Sequence, residues 1–416
     1  MNERVTTGME SSNVLIPPPG RESAGQGGRA RVIPFSKVVC DGNELAYIRE
    51  VLESGWLTTA SKTKAFEEKF SEVVGARYCC AVNSCTSALH LGLEALGVGP
   101  GDKVLVPTMT FTASAEVIRY LGAEPIFLDV DFGTALLTEA IVEEALDAHP
   151  EAKVLTVVHF GGQAAAMLDG ERGGILALCR QRGVRVIEDA AHAFPAREGG
   201  RPVGSLGDVT CFSFYANKTI TTGEGGMLTT DDPEIAERVR VMRLHGIDRD
   251  IWKRFISEYP MWEYDVIAPG YKYNMPDLNA AIGLAQLERA DVLRDARERC
   301  ARYYFDVLGD RADLDLPVIR VPFADHAWHL FWIVVQPETV GRNRLIELLS
   351  QRGIGTSVHY KPLHRMKYYR ERYELDPGRF PGAERLWRGC LSLPLYPSLC
   401  DDDLRYITDS LVDCLG

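Results

Sequence analysis

The sequence predicts an α/β fold in which a mainly parallel, seven-stranded sheet is covered by helices on both faces and is followed by a smaller α+β domain. Short apolar runs alternate with amphipathic segments of helical period from about residue 78 to residue 230, a pattern typical of parallel sheets. Beyond about residue 288, helical segments are mixed with the single apolar run 330–335. The 416 residues are enough for two or three domains.

The N-terminal segment differs in composition from the rest of the chain. Residues 1–33 are rich in glycine, proline, serine and arginine, and such a segment cannot bury enough apolar surface to offset the entropy lost on ordering. We therefore expect a disordered tail over residues 1–33, a large domain over 34–287 and a small C-terminal domain over 288–416.

The predicted elements follow one another in regular order. Two helices, over 44–54 and around 64–70, precede the alternating region. The seven strands are predicted over 78–82, 103–106, 125–128, 153–158, 184–187, 209–213 and 226–229, and the helices between them over 87–96, 113–121, 138–148 and 175–182. A further helix starts near residue 276, and another closes the chain over 401–414.

The overall composition excludes several classes of function. A net charge of -12 provides no basic surface for nucleic acid or an anionic membrane. No apolar segment approaches the roughly 20 residues that cross a bilayer, and the N-terminus does not resemble a signal peptide. The ten cysteines lack the spacing of a zinc site. We expect a cytoplasmic protein with reduced thiols and no metal.

One lysine lies between an apolar strand and a glycine-rich turn. Lys218 follows the predicted strand 209–213, and the glycines of 223–226 let the backbone reverse into the next strand. Lys218 should therefore project from a loop at a strand end, where α/β proteins bind ligands. A partly desolvated amine can form a Schiff base with a carbonyl such as that of pyridoxal phosphate. The alternative is a solvated surface lysine, the usual state of this residue type.

A second strand end could hold a phosphate. Residues 83–87, Asn-Ser-Cys-Thr-Ser, join a strand to the start of an amphipathic helix, whose first N–H groups and partial positive charge attract anions. Ser84 and Thr86 could add hydroxyl donors, or could simply cap the helix. Ser213, five residues before Lys218, could donate to the same phosphate.

A carboxylate and a histidine follow another buried strand. If Asp189 pairs with the pyridine nitrogen of the cofactor, it keeps that nitrogen protonated and lets the ring accept electrons; otherwise it caps a helix or forms an ion pair. His192 could lie against the cofactor or belong to the core. Phe111 could stack on the pyridine face, although an aromatic residue at such a place also fits a simple core position.

Taken together, these motifs resemble the nucleotide-sugar aminotransferases of the DegT/StrS family, within the fold-type-I enzymes that use pyridoxal phosphate. The resemblance covers residues from about 34 to the end of the chain. The segments that carry it are 54–59 (SGWLTT), 83–87, 188–193 (EDAAHA), 213–218 with Gly225 and Gly226, 270–275 (GYKYNM), 353–360 (GIGTSVHY) and 391–397 (LSLPLYP).

The resemblance implies a set of residue roles. Lys218 would be the Schiff-base lysine, Asp189 the partner of the ring nitrogen, and Cys85, Thr86 and Ser213 would lie near the phosphate. It also implies a homodimer in which the 270–274 loop of the neighbouring subunit reaches the phosphate. Many relatives read Gly-Tyr-Asn-Tyr-Arg in that loop, whereas this chain has Lys272 and Asn274. We expect Asn274 to be the crossing residue.

The same resemblance implies the reaction. L-glutamate would give its amino group to the cofactor, which passes through pyridoxamine phosphate, and a nucleotide-linked keto sugar would then receive it. The loop sequence resembles the branch that aminates a UDP-linked 4-keto pentose. Ala60, where relatives often have glycine, leaves the fit of the substrate in that turn in doubt. Residues in regions that face the sugar nucleotide in relatives are Trp56, Thr59, His329 and His359.

Three alternatives remain open from the sequence. The first is an aminotransferase for a non-nucleotide keto substrate such as an aminocyclitol precursor. The second is a sugar dehydratase, although dehydratases of this family have histidine where Lys218 stands. The third is a cofactor-bound regulator without turnover, which would keep its yellow absorbance when glutamate is added.

Overall fold

The structure, a computed structural model, describes residues 31–170, 173–248 and 264–416. Its main sheet has seven strands in the order β1-β9-β8-β5-β4-β2-β3. These strands are β1 (Tyr78–Val82), β2 (Lys103–Pro107), β3 (Glu124–Leu128), β4 (Val154–Val158), β5 (Arg185–Asp189), β8 (Val209–Ser213) and β9 (Gly226–Thr230), and a separate hairpin is formed by β6 (Arg197–Glu198) and β7 (Arg201–Pro202).

The helices of the first part of the chain surround this sheet. They are α1 (Glu44–Ser54), α2 (Ser61–Val74), α3 (Cys85–Ala95), α4 (Ala113–Tyr120), α5 (Glu139–Ala148), α6 (Gly174–Arg182), α7 (Pro233–Met242) and α8 (Asp277–Leu287). All five residues of β4 are buried, because helices cover both faces of a parallel sheet.

The prediction of seven strands in a mainly parallel sheet is confirmed. The pairs β2–β3, β2–β4, β4–β5 and β5–β8 are parallel, whereas β9 runs antiparallel to both β1 and β8. Predicted and observed element ends differ by a few residues. Strand β5 extends to Asp189 and helix α3 begins at Cys85, so these two predicted site residues lie at the ends of their elements.

The C-terminal part of the chain has its own small sheet. Strands β10 (Leu314–Asp315), β11 (Phe331–Val335) and β12 (Cys390–Leu393) are antiparallel in the order β10-β11-β12. The accompanying helices are α9 (Ala290–Leu308), α10 (Arg342–Gln351), α11 (Lys367–Tyr373), α12 (Pro381–Gly389) and α13 (Asp401–Leu415). The proposed boundary between domains, at 287/288, falls in the short turn between α8 and α9.

Part of this C-terminal region packs on the large sheet. Tyr369, Phe380 and Leu386 share one hydrophobic cluster with the buried residues of β2 and β3. The His364 imidazole contacts the Thr108 hydroxyl at 2.8 Å and the Glu384 carboxylate at 2.7 Å. Residues 363–389 therefore attach the proposed small domain to the end of β2.

The start of the described chain corrects the predicted tail. Residues 1–30 lie outside the described residues, but Ile33, which the composition placed in the tail, is only 2% exposed. Its amide donates to the Gly353 carbonyl at 2.8 Å, and its carbonyl accepts from the Gly355 amide at 2.8 Å. Ile33 is buried because it pairs with Ile354 in the C-terminal region. The composition of residues 1–33 does not indicate this contact.

A close backbone approach fixes the position of helix α3. A Cβ added to Gly226, the first residue of β9, would lie 2.4 Å from the carbonyl carbon of Ser84 and 2.6 Å from the amide nitrogen of Cys85. Only glycine therefore lets the start of α3 pack against this strand.

In the described residues, no helix is long and apolar enough to cross a membrane.

We expect Gly226→Ala to lower the free energy of unfolding by about 2 kcal/mol, because the methyl group must push the start of α3 away from β9. Urea unfolding followed by circular dichroism measures the change. Gly99→Ala is the matched control, since a Cβ at Gly99 meets no heavy atom within 4 Å. Equal unfolding midpoints for the two variants would contradict this account of the packing.

Candidate active site

Lys218 projects from the loop between β8 and β9. The loop is held by backbone bonds from the Lys218 amide to Tyr215 at 3.0 Å and from the Thr222 amide to Phe214 at 2.9 Å. The lysine side chain is mostly buried, and in the described part of the chain its amine makes one polar contact, 3.5 Å from His329 Nε2. The amine is thus held without a hydrogen-bonded carboxylate.

Three buried histidines surround this amine. The ring centres of His192 and His329 are 4.4 Å apart, and those of His192 and His359 are 6.4 Å apart. Burial, followed by the positive charge of Lys218, lowers the pKa of His192 and His329 well below the usual value and lowers the pKa of His359 to about 3. All three imidazoles are therefore neutral at pH 7.

The same burial changes the chemistry of the lysine. Desolvation lowers the pKa of Lys218 to about 8, with Cys85 and Asp189 opposing the shift and Arg297 adding to it. At pH 7 the reactive neutral amine is then about 300-fold more populated than in a solvated lysine, because each unit of pKa is a factor of ten. The arrangement suits a nucleophile that must be deprotonated near neutral pH.

The tautomer of His192 is fixed by its neighbours. The Gly161 amide donates to His192 Nδ1 at 3.3 Å, so the single ring proton must lie on Nε2. His192 Nε2 is 3.0 Å from the hydroxyl of Tyr360, whose ring lies nearly parallel to the imidazole at 26°. Burial, followed by Asp189, raises the pKa of the Tyr360 phenol, which keeps its proton.

Asp189 ends β5 and is held in one orientation. The carboxylate is 5% exposed and accepts from the Ser114 hydroxyl at 2.7 Å and from the Ala191 amide at 3.1 Å. The Cys85 thiol lies 3.9 Å from the same group. A carboxylate with two fixed donors can present its remaining lone pairs to a cationic N–H group.

The start of α3 offers unpaired donors. Ser84 caps the helix by accepting from the Ser87 amide at 3.1 Å. The first two amides of the helix, those of Cys85 and Thr86, have no acceptor among the described residues. Ser213, at the end of the adjacent β8, is partly buried, and its hydroxyl accepts from the Tyr215 amide at 3.3 Å.

The remaining predicted residues lie in two places. Asn274 donates to the Thr59 hydroxyl at 2.6 Å and accepts from the Lys272 ammonium, while the Trp56 indole donates to the Thr59 carbonyl at 3.4 Å. These contacts link the turn before α2 to the 272–274 segment. Phe111 is 56% exposed, with its ring centre 6.0 Å from that of Tyr360.

The sequence reasoning did not single out several residues that the structure brings to the site. Tyr360 stands in one of the recognised segments, next to His359, and could have been chosen from that position. Ser114 and Gly161 carry no sequence signal, because their contacts join residues 75 and 31 positions apart. Arg297 looks like an ordinary helical arginine in the sequence.

A family model for the DegT/DnrJ/EryC1/StrS aminotransferases matches residues 39–412. The chain belongs to this family. Its members depend on pyridoxal phosphate, so the protein is a pyridoxal-phosphate-dependent aminotransferase, and its sheet and helices are those of the fold-type-I enzymes. The resemblance stated from the sequence motifs is thereby confirmed at the level of the family.

Named relatives extend over nearly the whole aminotransferase chain. The spore coat polysaccharide biosynthesis protein SpsC of Bacillus subtilis is 41% identical over 92% of this chain and 97% of its own. The crystal structure of the aminotransferase TlmJ from Streptoalloteichus hindustanus has 35% identity and a TM-score of 0.82, covering 92% and 99% of the two chains. The PLP form of the putative sugar aminotransferase Spr1654 from Streptococcus pneumoniae has 30% identity, the same TM-score, and covers 92% and 98%.

The buried imidazoles predict a dependence of stability on pH. The folded pKa of His359 lies below its unfolded value, so its contribution to the free energy of unfolding is complete above about pH 6.5 and is lost as the pH falls toward 3. We expect His359→Asn to reduce the slope of stability against pH by about 1.4 kcal/mol per pH unit between pH 6 and pH 5.

Urea unfolding at several pH values measures this slope. The control is His149→Asn, the same substitution at a partly exposed histidine at the end of α5, outside the candidate site. A wild-type slope in the His359 variant would show that this imidazole is not kept neutral by folding.

Proposed function

We propose that the enzyme transfers the amino group of L-glutamate to a keto group of a nucleotide-linked sugar. The observation that carries this proposal is the buried, weakly basic amine of Lys218 at the strand ends, beside a fixed carboxylate and three neutral imidazoles. The sugar class is supported by the names of two relatives, SpsC in spore coat polysaccharide biosynthesis and the sugar aminotransferase Spr1654. The cytoplasm is the proposed location.

The residues present fit pyridoxal phosphate. The free amides of Cys85 and Thr86, with the Ser84, Thr86 and Ser213 side chains close by, suit the phosphate. Asp189 suits the protonated ring nitrogen, and His192 and Phe111 are proposed to lie along the ring. His329 Nδ1 is buried without a partner among the described residues, which is consistent with a ligand that completes its hydrogen bonding. When bound, the cofactor supplies an aldehyde that captures amines and a ring that accepts electrons.

Lys218 is the proposed proton carrier of the reaction. Its Nζ takes the proton from the α-carbon of the amino donor, a task for which a pKa of about 8 is better suited than that of a solvated lysine. The pKa values of the neighbouring imidazoles lie below that of Lys218, so the imidazoles do not take the proton in its place. Tyr360, whose hydroxyl contacts His192 Nε2, holds that ring in place during the transfer.

The sugar nucleotide is proposed to contact four residues. His329 and His359 line the pocket around Lys218, so they would meet the keto group and its neighbours. Trp56 and Thr59 lie in the turn before α2 and would meet the more distant part of the ligand. The loop sequence favours a UDP-linked 4-keto pentose as the acceptor.

The enzyme is proposed to act as a homodimer with shared sites. Asn274 lies on the segment that pairs with the end of β1, through the bridge to Val82 and the bond from the Asn83 amide to the Tyr273 carbonyl at 2.7 Å. Within its own chain Asn274 is 9% exposed and bonds to Thr59 and Lys272, and we propose that it completes the phosphate site of the partner subunit. Lys272, which bonds to Asn274, would support it.

Adding L-glutamate to the enzyme loaded with pyridoxal phosphate should bleach the yellow absorbance and release one equivalent of 2-oxoglutarate per site. Absorbance and stopped-reaction product analysis measure the two events. Lys218→Ala should abolish both, because no amine remains to bind the cofactor covalently or to move the proton. Lys64→Ala, which removes an exposed lysine of α2, is the control and should show both the bleaching and the release of 2-oxoglutarate.

Supplying keto sugars to the bleached enzyme then identifies the acceptor class. Recovery of the yellow band with UDP-linked or dTDP-linked keto sugars supports the proposal. Recovery only with free cyclic ketones indicates an aminocyclitol-type substrate, and a band unaffected by every amino donor indicates a non-catalytic regulator.

Mixing two inactive variants tests the shared site. In a hybrid of Lys218→Ala and Asn274→Ala subunits, one site combines an intact lysine with an intact asparagine from the other chain, and activity should return to about a quarter of wild type when subunits mix at random. Hybrids that remain as inactive as the Asn274→Ala homodimer would show that Asn274 serves the site of its own chain.

A further inference from the structure

Arg297 of α9 is a buried cation close to the Lys218 pocket. Its side chain is only 3% exposed, and it lines a narrow cavity together with Lys218, Asn217 and Gln286. Arginine is seldom buried this deeply unless it is paired. The surroundings of its guanidinium therefore decide what the residue does.

Within the described parts of the chain, the acceptors that bind the guanidinium are backbone oxygens. Arg297 Nη1 donates to the Leu395 carbonyl at 2.8 Å and lies 3.5 Å from the carbonyls of Trp328 and His329. Among the described residues, its buried Nε has no partner, and no carboxylate forms an ion pair with the guanidinium. Burial lowers the pKa of Arg297 to about 10, so the side chain stays positively charged at neutral pH.

A buried charge without an ionic partner is costly, and Arg297 shares its cavity with Lys218. The titratable and charged groups around Lys218 are Cys85, Asp189, His192, His329, His359, Tyr360, Arg297 and Lys37. The thiol, the phenol and the imidazoles are neutral, and Lys37 is exposed to water that screens its charge. Arg297 is thus the one buried cation of this group facing Lys218, with Asp189 as the opposing anion.

We propose that Arg297 is a positioning residue that adds to the effect of burial by presenting a positive charge without a carboxylate partner to the cavity it shares with Lys218, which disfavours the ammonium form, and that holds His329 through its backbone carbonyl. This inference rests on the proposed role of Lys218 as the reactive amine. Its physical basis is that a second buried positive charge along the same cavity, at low dielectric, disfavours the ammonium form.

The test measures the basicity of Lys218 in the full-length protein without cofactor. Competitive acetylation between pH 6 and pH 11, with Lys218 quantified by mass spectrometry, gives the pH at which half of the amine is reactive. We expect a wild-type midpoint near 8. Arg297→Met and Arg297→Gln should raise it by about one unit, a tenfold loss of neutral amine.

Two further variants separate charge from packing. Arg297→Lys keeps the charge and loses most of the carbonyl contacts, so its midpoint should stay near wild type. Lys37→Met removes the exposed cation of the same cavity and should also leave the midpoint unchanged.

If Arg297→Met and Arg297→Gln both keep the wild-type acetylation midpoint and an intact circular dichroism spectrum, the proposal is overturned. Failure of both neutral variants to fold would also count against it, because Arg297 would then be a structural cation. These readouts need neither cofactor nor substrate. A wrong substrate assignment would therefore leave them unchanged, whereas a wild-type midpoint near that of a solvated lysine would remove the basis of both proposals.

Discussion

The burial of one primary amine is the constraint on which the site depends. Water stabilises an ammonium group strongly, so removing Lys218 from solvent shifts it toward the neutral form unless an anion compensates. In this enzyme the compensation is partial, since the Asp189 carboxylate opposes the shift and still leaves the pKa near 8. The amine is then basic enough to take a proton and neutral often enough to attack a carbonyl.

The neutral state of the three histidines around the amine follows from the same burial. Charged imidazoles beside Lys218 would repel its ammonium form and would be costly to bury, so the three histidines are kept neutral by the same desolvation. Hydrogen bonds then fix their orientation. The Gly161 amide sets the tautomer of His192, and the Ser392 hydroxyl, 2.9 Å from His359 Nδ1, holds the third ring.

The loop after β4 connects the two parts of the chain at this point. The Gly161 carbonyl accepts from the Leu330 amide at 3.0 Å, and the Gly162 carbonyl accepts from the Ala327 amide at 2.7 Å, so the segment that carries His329 is bonded to the loop at the carboxyl end of β4. A buried pair below it, His159 and Glu188 at 2.7 Å, braces the start of the same loop. The candidate site is consequently built from both regions rather than from the sheet alone.

The sequence by itself determined the alternation of strands and helices, the strand ends that carry Asp189, Ser84 and Lys218, and the family, because periodicity and short motifs are local properties of the chain. The reversed direction of β9, the burial of Ile33, the donor from Ser114 to Asp189 and the position of Arg297 were decided only by the tertiary structure. Each depends on contacts between residues far apart in sequence, and the basicity of Lys218 depends on how completely those contacts exclude water.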